Sequence, residues 1–136
     1  MDSISFLSFA GYQSLSHKTA IYPPVFVPGE DERVVGETII PLGPLTTLRL
    51  AYPALGLAGE AGEFANKVKK IIRDKRGRID EETKQKLIDE LGDVLWYVSE
   101  CATVLEEALE NIAVKNINKL QARHNQNKIK GSGDNG

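Results

Sequence analysis

At 136 residues the chain has room for one domain with a buried core. Its 17 basic and 19 acidic residues leave a formal net charge of −2, which gives no electrostatic footprint for a nucleic-acid polymer. Cys101 is the only cysteine, which excludes an intrachain disulfide and a cysteine-based zinc cluster; no apolar run approaches the roughly 20 residues of a membrane span, and no signal peptide is seen at the start. A soluble cytoplasmic protein is the expectation.

A first helix is expected within Ser3–Ala20, with Ile4, Phe6, Leu7, Gly11, Tyr12 and Leu15 at helical spacing and Ser3 or Ser5 as cap. Pro23 and Pro24 end it. Residues 25–44 mix Pro, Gly and β-branched residues and read as a packed loop insertion, with a small hairpin between Val25–Val27 and Thr38–Ile40. A second helix starts near Thr46 or Thr47, or restarts at Pro53, and runs to about Asp74. Asp80 caps a third, with Glu81 and Glu82 in the dipole-favoured first turn. Leu87, Leu91, Val94, Leu95, Val98, Ala102 and Leu105 form its apolar stripe, to about Thr103. Thr103-Val104-Leu105-Glu106 reads as a capping box before a fourth helix that reaches about His124. Residues 125–136 read as a flexible tail behind a single domain, 1–124. The expected fold class is all-α, a bundle of about four helices.

Two peptides stand out: Glu60-Ala61-Gly62-Glu63 and Glu90-Leu91-Gly92-Asp93. On a helix, carboxylates at i and i+3 share a face, about 4.5 Å apart along the axis. Two such helices face to face would gather four anions. At ~4 Å and an effective dielectric of ~20, each pair repels by roughly 4 kcal/mol. The remedies are raised pKa values, cationic neighbours or a divalent metal. For any one helix a solvated polar face is the plain alternative. Against it stand the repetition of the pattern, the apolar Val94–Val98 run beside Glu90 and Asp93, and the glycines. Gly56, Gly59 and Gly62 each weaken a helix by about 1 kcal/mol, and allow close approach of a backbone or a ligand.

Four carboxylates without nearby His or Cys suit Mg²⁺, with Mn²⁺ as substitute. Neither His17 nor His124 follows a Glu by three, so the Glu-x-x-His pairs of a di-iron site are missing. Lys67 continues the stripe of helix two, and Tyr97 that of helix three. Asn116, Lys119 and Arg123 repeat the same spacing on helix four. Carboxylate-held metal beside cations and donors suits hydrolysis of a polyphosphate. Arg123 reads equally as a cation at a helix C-terminus. Taken alone, His17 reads as a surface residue. Trp96 reads as core or interface.

Leu57–Glu63, Glu90–Tyr97 and Asn116-x-x-Lys119-Leu120-x-x-Arg123 together resemble the MazG-like nucleotide pyrophosphohydrolases of the all-α NTP pyrophosphatase superfamily. Residues 64–89 fit that family's spacer. Tyr12-Gln13, Thr19-Ala20 and Tyr22-Pro23 look like the first-helix region of phage and bacterial members. The resemblance implies a homodimer or homotetramer that hydrolyses (deoxy)nucleoside triphosphates to monophosphate and pyrophosphate, in the host cytoplasm if phage-encoded. It implies Glu60, Glu63, Glu90 and Asp93 as Mg²⁺ ligands, with catalysis centred on Glu60 and Glu63. A metal-activated water would attack the α-phosphorus; alternatively one carboxylate, preferably Glu63, orients or deprotonates that water. Lys67, Tyr97, Asn116, Lys119 and Arg123 would contact phosphate and sugar. The 25–44 segment departs from the family pattern and is expected to cover the base or build a subunit contact, and Gln13, Ser14, His17 and Lys18 of the first helix are candidates to face the same base. Two other readings stay open: an enzyme restricted to one nucleotide, and a non-enzymatic helical oligomerisation or regulatory module with a structural metal site.

Overall fold

In the computed structural model, residues 7–22, 32–35, 38–41 and 47–125 are described. Their order is α1 (Phe9–His17), β1 (Glu32–Val35), β2 (Thr38–Pro41), α2 (Thr47–Lys75), α3 (Glu81–Val104) and α4 (Leu109–Asn125). The expected all-α bundle is observed, with a short antiparallel ribbon before α2. The ribbon pairs Glu32 with Pro41, Arg33 with Ile40, Val34 with Ile39 and Val35 with Thr38. Thr38–Ile40 is therefore a strand as expected, but Glu32–Val35 occupies its edge; Val25–Val27, and residues 126–136 of the expected tail, lie outside the described residues.

α1 starts later than expected. Ser8 is its cap, with the hydroxyl accepting from the Gly11 N–H at 3.1 Å, while Ser3 and Ser5 lie outside the described residues. α2 passes through Pro53 without restarting, and that proline is fully buried. A reversal through Arg76 and Gly77, both at positive φ, leads to Asp80, whose carboxylate accepts from the Thr83 N–H at 2.8 Å. The cap is further held by Lys75, 2.8 Å from the second Asp80 oxygen. α2 and α3 thus form an antiparallel pair. The pairings along it run in opposite directions, from Lys75 with Thr83 to Lys67 with Glu90 and Gly56 with Tyr97.

The corner after α3 is not a capping box. Thr103 lies inside α3 and donates to the Ser99 carbonyl at 3.0 Å. α3 instead closes with Glu106 at φ 57, Glu106 N–H on the Thr103 carbonyl and Glu107 N–H on the Ala102 carbonyl, each at 3.0 Å. This is the two-bond left-handed stop of a helix C-terminus. Glu107 then caps α4: Lys115, Asn111 and the Ala108 N–H pull its carboxyl down to about 2.

α1 packs on α3 and α4, and α2 packs on α3. Apolar residues that are buried include Ile71, Ala102 and Leu109. The most deeply buried positions of α3, however, are Ser99 and Glu100, under α1, rather than the leucines of the expected stripe. Leu91 stays 51% exposed, and Leu55 and Ile72 are also open. No helix among the described residues is long and apolar enough to cross a membrane.

Candidate metal centre

The α2–α3 pair brings Glu60, Glu90 and Asp93 together. One carboxylate oxygen from each lies within 4.8 Å of the others. Glu60 is half-buried, Glu90 buried at 8% exposure, and Asp93 open to solvent. Burial raises the Glu60 pKa first, and the charges of Asp93, Glu63 and Glu90 raise it further. Glu63 is exposed and outside the three-acid cluster, yet close enough for its charge to act on both Glu60 and Lys67. Three of the four expected ligands thus converge, with the fourth beside them.

Lys67 Nζ lies 2.7 Å from Glu90 Oε1. That hydrogen bond is the main reason its ammonium holds its proton more tightly than usual. The other Glu90 oxygen, Oε2, is buried without a hydrogen-bond partner among the described residues. A buried carboxylate oxygen without a donor is costly unless a cation completes it. Among the described residues one ammonium, that of Lys67, pairs with this group of acids, which leaves negative charge uncompensated there, and all-oxygen donors match a hard divalent cation.

Tyr97 sits one turn beyond Asp93, and Gly56 one turn before Glu60. A Cβ on Gly56 would overlap the atoms of the Tyr97 ring, so any larger residue there would force the ring or the helix to move. Among the described residues Gly59, Gly62 and Gly92 have nothing within 4 Å of such a Cβ, so no packing contact there accounts for them. Burial pushes the Tyr97 phenol up, followed by Tyr52, Glu60 and Asp93, which places the ring beside the acids. Tyr12, which spacing alone did not single out, is also near: burial raises its pKa, then Asp93 and Glu100. Its proximity comes from the packing of α1 on α3, a tertiary relation with no local signature.

The remaining expected contacts lie elsewhere. Asn116 and Lys119 are exposed on α4 and Arg123 is half-buried. Among the described residues α4 makes no contact with α2, so its stripe does not converge on the carboxylates within one chain. Gln13 is committed to the α3–α4 corner. Its amide donates to Thr103 Oγ1 at 3.2 Å and the Glu107 carbonyl at 3.0 Å, and its oxygen accepts from the Leu109 N–H at 2.9 Å. His17 Nδ1 lies 3.1 Å from Glu100. Gln13 and His17, with Ala10, Ser14, Lys18 and Thr103, line a surface groove of about 460 Å³ that does not include the acids. Trp96 is half-buried, edge-on to Tyr97 at 4.9 Å, and its indole N–H donates to Thr19 Oγ1 at 2.8 Å. Cys101 is a half-buried thiol whose pKa is raised by burial and then by Glu100.

The profile of the MazG nucleotide pyrophosphohydrolase domain matches residues 52–127, which include every acid of the cluster and the α4 stripe but not α1. The chain is 44% identical over 124 residues to the "Gene 37 protein" of Mycobacterium phage L5, covering 91% of this chain and 95% of that protein. No solved structure gives a significant match.

Proposed function

The chain belongs to the MazG nucleotide pyrophosphohydrolase family, and from that premise we propose that it hydrolyses (deoxy)nucleoside triphosphates to the monophosphate and pyrophosphate in a Mg²⁺-dependent reaction. The observation that carries this reading is the convergence of Glu60, Glu90 and Asp93 within 4.8 Å. The buried, unpartnered Glu90 Oε2 gives a cation a specific reason to bind there. These residues fit Mg²⁺, with Mn²⁺ as substitute, and are the ones that would hold it. When bound, the ion supplies neutralisation of phosphate charge and a more acidic water.

The chain's own groups divide the remaining work. Glu63, exposed beside the cluster, accepts the proton of the attacking water at a carboxylate oxygen and orients that water toward the α-phosphorus. Lys67 fixes Glu90 through Oε1 and adds positive charge at the edge of the acids. Tyr97 walls the same α2–α3 seam through its seat on Gly56. The bond from the α-phosphorus to the bridging oxygen breaks, and pyrophosphate leaves.

Asn116, Lys119 and Arg123 form a donor stripe that does not converge on the acids within one chain. Self-association as a homodimer or homotetramer would cover exposed Leu55, Ile72 and Leu91 and would let α4 of one copy serve the acids of another. The phage origin of the relative is in keeping with work in a host cytoplasm.

The test is incubation with each nucleoside and deoxynucleoside triphosphate, with and without Mg²⁺, followed by ion-exchange separation of products. Monophosphate and pyrophosphate, only with the metal, are expected. Diphosphate and orthophosphate would overturn the site of attack, and the rate ranking would show whether one nucleotide is preferred. No turnover with any nucleotide would favour the helical oligomerisation module with a structural metal site.

A further inference from the structure

Glu100 lies two turns beyond Asp93 on α3 and is completely buried. Its Oε2 accepts the Tyr22 hydroxyl at 2.9 Å and faces His17 Nδ1 at 3.1 Å, while Oε1 has no hydrogen-bond partner among the described residues. A carboxylate is a poor filler for a dry position, because an apolar side chain of similar volume would avoid its desolvation. An acid serving packing alone would also gain from using both oxygens. Among the described residues this one engages only the oxygen that faces α1 and Tyr22 beyond it.

What Glu100 grips leads back to the metal centre. Tyr22 stacks on Tyr52 of α2, with centroids 4.7 Å apart and planes 17° from parallel. Its edge meets Trp96 at 6.4 Å, and Trp96 meets Tyr97 edge-on at 4.9 Å. Tyr97 occupies the Gly56 notch one turn from both Glu60 and Asp93. Tyr22 and His17 precede the family-matching residues, so Glu100 joins the family-matching helices to a segment outside them.

We infer that Glu100 is a positioning residue, whose hold on the Tyr22 hydroxyl fixes the Tyr22–Tyr52–Trp96–Tyr97 rings as a wall beside the Glu60–Glu90–Asp93 cluster. Glu100 touches none of the acids. Its influence therefore falls on how firmly the wall receives a substrate, and not on bond breaking. This consequence for substrate rests on the proposed hydrolase activity; the ordering of the rings does not.

Tyr22→Phe removes the gripped hydroxyl and keeps the ring. Glu100→Leu removes the carboxylate and keeps the volume. Glu100→Gln keeps an acceptor for the hydroxyl. Trp96 is the chain's only tryptophan, so acrylamide quenching of its fluorescence reads the wall directly. Tyr22→Phe and Glu100→Leu are expected to increase that quenching without loss of far-ultraviolet helical signal, and Glu100→Gln to restore it. With the nucleotide that the parent hydrolyses best, the first two should raise KM about three- to tenfold and leave kcat within about twofold. Their double variant should be no worse than the worse single, since both cut one bond.

Unchanged quenching and KM in Tyr22→Phe and Glu100→Leu would overturn the inference. So would additive effects, or a fall in kcat at constant KM. If Glu100→Leu does not fold, Tyr22→Phe carries the same test. If the parent hydrolyses no nucleotide, the proposed activity fails while Trp96 quenching still decides the role of Glu100.

Discussion

Glu60 shows how one side chain registers the tension of the site. Its pKa is raised above its ordinary value of 4.5, by burial first and then by Asp93, Glu63 and Glu90. A raised carboxyl pKa means that folding favours the protonated form. Its contribution to stability is full below the ordinary value and is lost as pH rises through the raised one. Glu60→Gln should therefore melt higher than the parent at pH values well above the carboxylate range when divalent cation is chelated. That advantage should shrink toward acid pH. Saturating Mg²⁺ should raise the melting temperature of the parent more than that of the variant. Differential scanning fluorimetry across pH, with chelator and with Mg²⁺, checks both signs; a variant that melts lower at neutral pH without metal would contradict them.

Gly56 and Gly59 make a second contrast at this scale. Both weaken α2 as a helix, but only Gly56 has the Tyr97 ring where a Cβ would be. Gly56→Ala should cost about 1–3 kcal/mol through overpacking. Gly59→Ala has open space and should gain up to about 1 kcal/mol from helix propensity. Urea unfolding of the two variants is the measurement, and equal effects would show that Tyr97 yields freely.

Among the elements, the α3–α4 corner depends on a residue ninety positions away in sequence. Gln13 supplies its amide to Thr103 and the Glu107 carbonyl, and accepts the first N–H of α4 from Leu109. It works as a helix cap delivered from another helix. Gln13→Ala should cost about 1–2 kcal/mol in unfolding free energy, because partly buried partners lose their bonds. Unchanged stability by urea titration would remove Gln13 from this role.

The same corner marks what local patterning reveals and what it does not. The Asp80 cap and the near-complete bounds of α2, α3 and α4 were legible because periodicity and capping act within a few residues. The capping box expected at Thr103 does not form because the actual stop uses Glu106 in the left-handed region, a conformation for which the sequence offers no Gly or Asn signal. Spacing alone puts the start of α1 too early because Ile4, Phe6 and Leu7 carry the same apolar pattern upstream of the cap at Ser8. The acid-x-Gly-acid repeats identified the carboxylates, three of which converge, since their spacing alone puts them on one helix face. The burial of Glu100, the proximity of Tyr12 and the engagement of Gln13 follow from how α1 lies across α3 and α4, and no short-range pattern carries that information.

For the whole molecule, the distribution of apolar surface argues for assembly. Leu55 is 74% exposed and Leu91 51%, while the deepest positions of α3 are Ser99 and Glu100. Among the described residues a single chain thus leaves several large apolar side chains open to water, a surface that a second copy would cover. Light scattering after size exclusion should give the mass of a dimer or tetramer, and Leu91→Lys should shift it toward the single chain. A parent protein of single-chain mass at micromolar concentration would contradict the assembly.

If a site built on Glu60, Glu90 and Asp93 directs water to the α-phosphorus, the oxygen of that water must enter the nucleoside monophosphate. Turnover of the best nucleotide in water enriched in heavy oxygen, with mass spectrometry of both products, follows that oxygen. The expected result is label in the nucleoside monophosphate and none in the pyrophosphate, dependent on Mg²⁺ and abolished by Glu90→Gln. Label in the pyrophosphate, or full activity in Glu90→Gln, would contradict it.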